Sequence, residues 1–275
     1  MIHIIKRKLL TRLTSGKNGK NSSQNSYGPV PVRLKHNDLY LVEFPKSGIT
    51  WLSFLLANLE TRISGKEKEI NFFNIIDYVA DIHGSININE KELPGFGFRL
   101  IKSHSEFNPK YIKLIYLVRD PRTVMISYFY FLKNLGIYRD GISEFIRDDR
   151  YGVVCWDRHV YGWVNQSDLQ QKIIFIRYED LHASPVNLLN DIVKYLGLKI
   201  QSEKIQEAVD ASSFENMRNY EDMARKYDVR RGKSGKYNNF EFVRKGEINY
   251  QELSADDIDY INNNCKEMMQ LFGYT

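Results

Sequence analysis

A chain of 275 residues with 43% hydrophobic and 27% charged side chains has the make-up of an ordinary globular protein, long enough to bury a large core. Its net charge of +5 allows an anionic ligand but does not call for nucleic acid, and its two cysteines, Cys155 and Cys265, form no C-x-x-C pair and so argue against zinc. No apolar run approaches the roughly 20 residues of a membrane helix, and the cysteines fit two reduced thiols in a cytosolic protein, with one disulfide as the alternative.

The chain opens with MIHIIKRKLLTRL. Ile2, Ile5, Leu9 and Leu13 share a helical face among Lys6, Arg7, Lys8 and Arg12. This reads as a short, frayed basic helix, with a peripheral membrane contact as the alternative; charge within the apolar run excludes a secretory signal. The polar stretch 15–26 reads as a disordered linker. Residues 1–28 are therefore expected to be a basic, partly disordered segment, and residues 29–275 one domain.

The run LYLVEF (39–44) predicts a buried strand. Leu52, Leu55, Leu56, Leu59 and Ile63 then follow at helical spacing, up to Gly65. FRLIKSH (98–104), KLIYLV (113–118) and KIIFIRY (172–178) predict three more strands. A helix through VMISYFYFL follows RDPR. Ser184 and Pro185 open a helix that Gly197 stops, Ser202 caps another, and Ser254 with Asp257 starts a last one, striped by Ile258, Ile261, Cys265, Met268 and Phe272. NFFNIIDYVADIHG is expected to pack on the sheet as a helix, with a ligand-pocket lining as the alternative. Strands alternating with helices predict an α/β domain with a central parallel sheet flanked by helices, whose ligands bind at the carboxyl ends of the strands. Lys46, His104, Arg119 and Tyr178 all fall at or just past such ends.

The turn PKSGIT joins the first strand to the first helix. A helix N-terminus favours anions, Gly48 permits close backbone approach, Ser47 and Thr50 offer hydroxyls and Lys46 a charge. The turn is too short for a Walker A loop, and a capped strand–helix turn with a surface lysine explains it equally well. In VRDPRTVMISY, Arg119 ends a strand and Ser127 lies two turns into the next helix; Arg119 either faces an anion or staples the loop to a carboxylate. FVRKG (242–246) is a second basic loop whose amides can reach a phosphate, although most such runs are solvated. Trp51 and Phe214 are as readily core aromatics as stacking platforms.

Together these stretches resemble, in order and spacing, the PAPS-dependent sulfotransferases of cytosolic type, which use 3′-phosphoadenosine 5′-phosphosulfate. PKSGITW resembles the family's PKSGTTW, YLVRDPRTVMISYFYF its (Y/V)VVRNPKDVAVSYYHF, and FVRKG its RKG loop. LIKSH resembles its KTH stretch, and YGVVCWDRHVYGW, IRYEDL and SSFENM resemble its YGSWYQHVxxW, FYEDM and TSFExM. The likeness spans residues 38–275. It implies a P-loop-like sulfotransferase fold that moves a sulfuryl group from PAPS to an acceptor hydroxyl, in the cytoplasm and without a metal.

Carried over position by position, Lys46, Ser47, Gly48 and Thr50 bind the 5′-phosphosulfate, and Trp51 and Phe214 sandwich the adenine, which Tyr178 and Ser212 contact. Arg119 and Ser127 hold the 3′-phosphate, with Arg244, Lys245 and Gly246 closing over it and Ile49, Met217 and Val243 lining the same site. His104 is the implied general base; Lys46, Lys102 and Ser127 complete the catalytic group. Ile49 departs from the family's first threonine, Asp120 from its asparagine, and EINY from the GDW after RKG. The family's vertebrate dimerisation motif is missing, so no oligomeric state is carried over.

Sulfuryl transfer, like phosphoryl transfer, is catalysed mainly by positioning and charge stabilisation, and no Asp/Glu/His cluster has metal-ligand spacing. His159, Phe73 and Asp77 are expected to contact the acceptor, and residues 218–242 to form a mobile cap. SYFYFLKNLG and FFNIIDYV resemble bacterial members of the family more than animal ones, and richness in Asn, Ile, Lys and Tyr fits an AT-rich genome. The resemblance thus implies a bacterial member acting on a glycan, a glycolipid or a small alcohol. Three rivals are a non-catalytic PAP/PAPS-binding protein, a P-loop kinase using ATP, and a membrane-associated scaffold using the basic N-terminus.

Overall fold

The computed structural model describes residues 28–66, 68–84, 88, 91–165, 171–230 and 250–274. The expectations for the N-terminal segment 1–27, for residues 231–242 of the cap, and for Val243, Arg244, Lys245 and Gly246 lie outside the described residues.

Five strands, β1 (Leu39–Glu43), β2 (Val79–Asp81), β3 (Leu100–Ser103), β4 (Lys113–Val118) and β5 (Lys172–Arg177), form one sheet in the order β2-β3-β1-β4-β5. Every pairing is parallel. Among the described residues ten α-helices accompany it: α1 (Ile49–Ile63), α2 (Pro121–Asn134), α3 (Ile142–Arg147), α4 (Val153–Asn165), α5 (Tyr178–Ala183), α6 (Pro185–Leu196), α7 (Ser202–Ala211), α8 (Phe214–Arg230), α9 (Ala255–Asn264) and α10 (Lys266–Phe272).

Successive strand residues face opposite sides of a sheet, and here both sides are covered. From β1, Leu39 and Leu41 enter a core with Leu52 and Leu55 of α1, Ile192 of α6 and Ile205 of α7. Tyr40 and Val42 enter the other core, with Met125 of α2, Trp156 and Trp163 of α4 and Phe272 of α10. That explains why LYLVEF is apolar without alternation. Between β3 and β4 the chain crosses from one side of β1 to the other, so the carboxyl end of β1 is the switch point at which such sheets bind ligands.

The structure corrects three sequence expectations. Residues 71–84 form no α-helix: a 3₁₀ turn (Ile75–Asp77) leads into the edge strand β2, which pairs with β3. Ser202 is the first helical residue of α7, after Gln201 at the cap. The last predicted helix is two, because the backbone leaves helical geometry at Cys265 (φ −116°), just after the poor helix formers Asn262, Asn263 and Asn264. Of the expected cap, residues 218–230 lie in helix α8. The Ser254 cap is as expected: its hydroxyl accepts from the Asp257 amide (3.1 Å) and donates to the Asp257 carboxylate (2.8 Å).

Candidate active site

The turn after β1 is strained. Lys46 has φ 75°, the left-handed region that non-glycine residues avoid, and Gly48 at the α1 N-cap has φ 113°. A β-carbon on Gly48 would lie 2.6 Å from Cδ2 of the buried Tyr178 ring, so both backbone and packing demand glycine. Gly48→Ala is expected to destabilise the protein by about 3 kcal/mol. An unchanged urea midpoint would show that the turn relaxes freely.

Arg119 lies where β4 ends. Its Nη1 donates to the Lys46 carbonyl (3.3 Å), its Nε to Thr123 Oγ1 (3.0 Å), and the guanidinium lies 4.2 Å above the Tyr178 ring. Asp120 is not its partner: this carboxylate caps α2 through the Arg122 amide and pairs with the Arg122 guanidinium. The Arg119 cation therefore reaches the β1–α1 turn. Lys46 Nζ sits 4.6 Å over the Phe131 ring. Burial lowers its pKa to about 8 against the pull of Glu43.

From the end of β3, Lys102 makes a 3.0 Å ion pair with Asp81, its register partner on β2. Two residues on, the His104 side chain is 28% exposed. Burial, then the charges of Lys102 and His83, push its pKa down to about 3, so the imidazole is neutral at physiological pH. Its amide donates to His83 Nε2 (2.9 Å). From α4, His159 Nε2 donates to the His104 carbonyl (3.2 Å) while His159 Nδ1 accepts from the Tyr116 hydroxyl (2.7 Å). One turn on, Trp163 Nε1 donates to the Ser105 carbonyl (3.1 Å). Helix α4 thus fixes the loop that carries His104.

Several predicted site residues have other partners. Both ring nitrogens of buried His159 are engaged behind His104, so it offers an acceptor no ring nitrogen. Ser47 is fully buried and its hydroxyl donates to the Phe44 carbonyl (2.9 Å). The Ser212 hydroxyl donates to the Ala208 carbonyl and accepts from Asn58, and its own carbonyl accepts from Trp51 Nε1 (2.9 Å). Trp51 and Phe214 do come together, but in direct contact, with centroids 4.5 Å apart and planes tilted by 48°. A base enters between them only if they part. Ile49 and Met217 are in the core; Thr50 and Ser127 are half-buried on α1 and α2. Phe73 is exposed, and Asp77 pairs with Lys68 at the surface.

Sequence reasoning missed one residue. Glu43, read only as part of a buried strand, places an acid 2% exposed beneath the turn. Its Oε2 accepts from the Ile49 amide (2.7 Å), and Oε1 lies 3.7 Å from His104 Nδ1. Burial raises its pKa to about 7. The signal was a lone charge inside an apolar run.

Three cations and a neutral imidazole thus converge on the N-terminus of α1, at the carboxyl ends of β1, β3 and β4. This arrangement defines an α/β protein with a P-loop-like turn, lined by cations and a neutral imidazole of the kind group transfer to or from an anion requires. The family model described as "Sulfotransferase domain" matches residues 36–273, and the chain belongs to that family. Mouse sulfotransferase 1E1 is 29% identical over 201 residues, covering 66% of each chain; human sulfotransferase 2A1 is 27% identical over 251 residues, covering 81% of this chain and 86% of its own. The fold is shared with retinol dehydratase in complex with androsterone and PAP (TM-score 0.67, 18% identity, 86% and 82% coverage). It is shared also with mouse SULT7A1 complexed with PAP (TM-score 0.60, 20% identity, 86% and 84% coverage). No helix among the described residues is long and apolar enough to cross a membrane.

Proposed function

We propose that this chain moves a sulfuryl group from PAPS to an acceptor hydroxyl, with His104 taking the hydroxyl proton. The observation that carries this reading is the meeting of Lys46, Lys102, Arg119 and His104 around one helix N-terminus. PAPS supplies the activated sulfuryl group. The donor set fits its anionic end: a helix terminus and a lysine for the phosphosulfate, and Arg119 with Ser127 for the 3′-phosphate. Gly48 lets the turn take its left-handed backbone against the Tyr178 ring at the start of α1. The adenine end fits once Phe214 moves off Trp51, which its bond to Ser212 anchors.

The residues of the chain do the rest. Lys46 and Lys102 offset charge on the transferring group, and neutral His104 accepts the proton as the acceptor oxygen forms its new bond. The acceptor is a hydroxyl of a glycan, a glycolipid or a small alcohol, and the reaction is cytoplasmic. Asp81 and His83, beside Lys102 and His104, border its approach.

Calorimetric titration with PAP and with 5′-AMP, both without metal, tests the donor assignment. PAP is expected to bind at least about 100-fold tighter, since a charge-assisted phosphate contact is worth several kcal/mol. Equal affinities would remove the 3′-phosphate site. Magnesium-dependent ATP binding in its place would favour a kinase.

A further inference from the structure

We infer that Glu43 is the positioning residue for His104, receiving its Nδ1–H and stabilising the imidazolium that forms during transfer. This rests on the reading of His104 as the base. Nothing in the resemblance to the family assigns Glu43 a role.

Three observations carry it. First, His104 Nδ1 is buried and makes no hydrogen bond among the described residues, although the rest of the ring is partly exposed. A buried ring nitrogen without a partner is costly, and a carboxylate oxygen, Glu43 Oε1, lies 3.7 Å away, within ion-pair range. Catalytic hydrogen bonds are often this long before the reactants bind. Second, Glu43 cannot swing elsewhere. It closes β1, is buried, and its other oxygen is fixed by the Ile49 amide at 2.7 Å. Third, the backbone of His104 is held on both sides, by His83 at its amide and His159 at its carbonyl, so only the ring has to settle.

The balance is simple. The acceptor O–H proton passes to His104 Nε2 as the acceptor oxygen bonds the sulfuryl sulfur, and the sulfur's bond to the donor's phosphate oxygen breaks, its electron pair leaving with the phosphate. The imidazolium keeps its original proton on Nδ1, and the Glu43 carboxylate offsets the new charge. The carboxylate itself is not protonated, which is the role of the acid in a Ser-His-Asp triad. The groups facing the pair are Lys46 and Arg119 around Glu43, Lys102 beside both residues, and His83, Asp81 and His159 around His104. Burial already raises the acid to about 7, so the ionised partner is lost as pH falls below neutrality.

The test is Glu43→Gln in the full chain. Glutamine keeps an oxygen for the Ile49 amide but turns an NH₂ toward Nδ1, so the ring is held with its proton on Nε2 and cannot act as base. The turnover number is expected to fall at least about 100-fold with little change in acceptor KM. PAP affinity should be unchanged or tighter, since a negative charge has left the anion site. The loss of rate below neutrality should disappear from the pH profile. On a His104→Ala background the substitution should cost nothing more. An unchanged profile, losses that multiply in the double variant, or PAP binding weakened tenfold would overturn the inference and leave Glu43 a strut for the turn. If His104→Ala alone keeps full transfer, the reading of the base fails first, and this inference with it.

Discussion

Replacing Lys46 with alanine is expected to lower turnover about 1,000-fold, the cost of deleting one preorganised charge at a transfer site. A second substitution separates charge from backbone. Lys46 has φ 75°, so Lys46→Gly removes a strained conformation as well as the ammonium. The glycine variant should be more stable than the parent by about 1 kcal/mol and as inactive as the alanine variant. Higher stability with low activity would show that the strain serves to aim the side chain. Near-normal turnover in either variant would remove Lys46 from the mechanism. The charge also has a pH signature. Burial puts the ammonium at about 8, so donor binding should weaken as pH rises past that value, and the bound anion should move the limit upward. A PAP affinity flat from pH 6 to 9 would contradict this.

His104→Ala should abolish transfer, by about 1,000-fold or more, while PAP affinity stays within about twofold. The second half matters as much as the first, because a non-catalytic PAP-binding protein would show no loss to measure. His104 is held neutral by burial and by Lys102 and His83, so no imidazolium has to be neutralised before reaction at pH 7. Single-turnover kinetics with PAPS and an acceptor alcohol would separate the two halves. Retained transfer would mean that another group takes the proton.

The strand–turn–helix around Lys46 was legible because its signals are local: an apolar run, Gly48 and the helical spacing of Leu52, Leu55 and Leu59. The ends of β3, β4 and β5 could be read for the same reason. Other features depend on distant parts of the chain. Strand β2 is three residues long and owes its existence to pairing with β3, so no periodicity announced it. The Ser47 and Ser212 hydroxyls looked like ligand contacts, since a sequence does not reveal whether a carbonyl such as Phe44 or Ala208 already holds the proton. His159 lies in the right stretch of chain, but α4 turns it toward Tyr116 and the back of His104. Glu43 went unnoticed because a charge in a buried strand is ordinarily a fault, and only the fold shows that it faces His104.

The cations of the site do not stand bare. Lys102 holds Asp81, Lys46 is flanked by Glu43 and Glu221, and Arg119 rests on a carbonyl and a tyrosine ring. A newcomer must therefore trade places with groups already there rather than fall into an open well of positive potential. Small anions that bring charge alone, such as inorganic sulfate or phosphate, gain little from such an exchange. A ligand that also brings a purine and two separate anionic groups can win it. The site thus guards itself against the commonest anions of its surroundings, and does so with its own carboxylates.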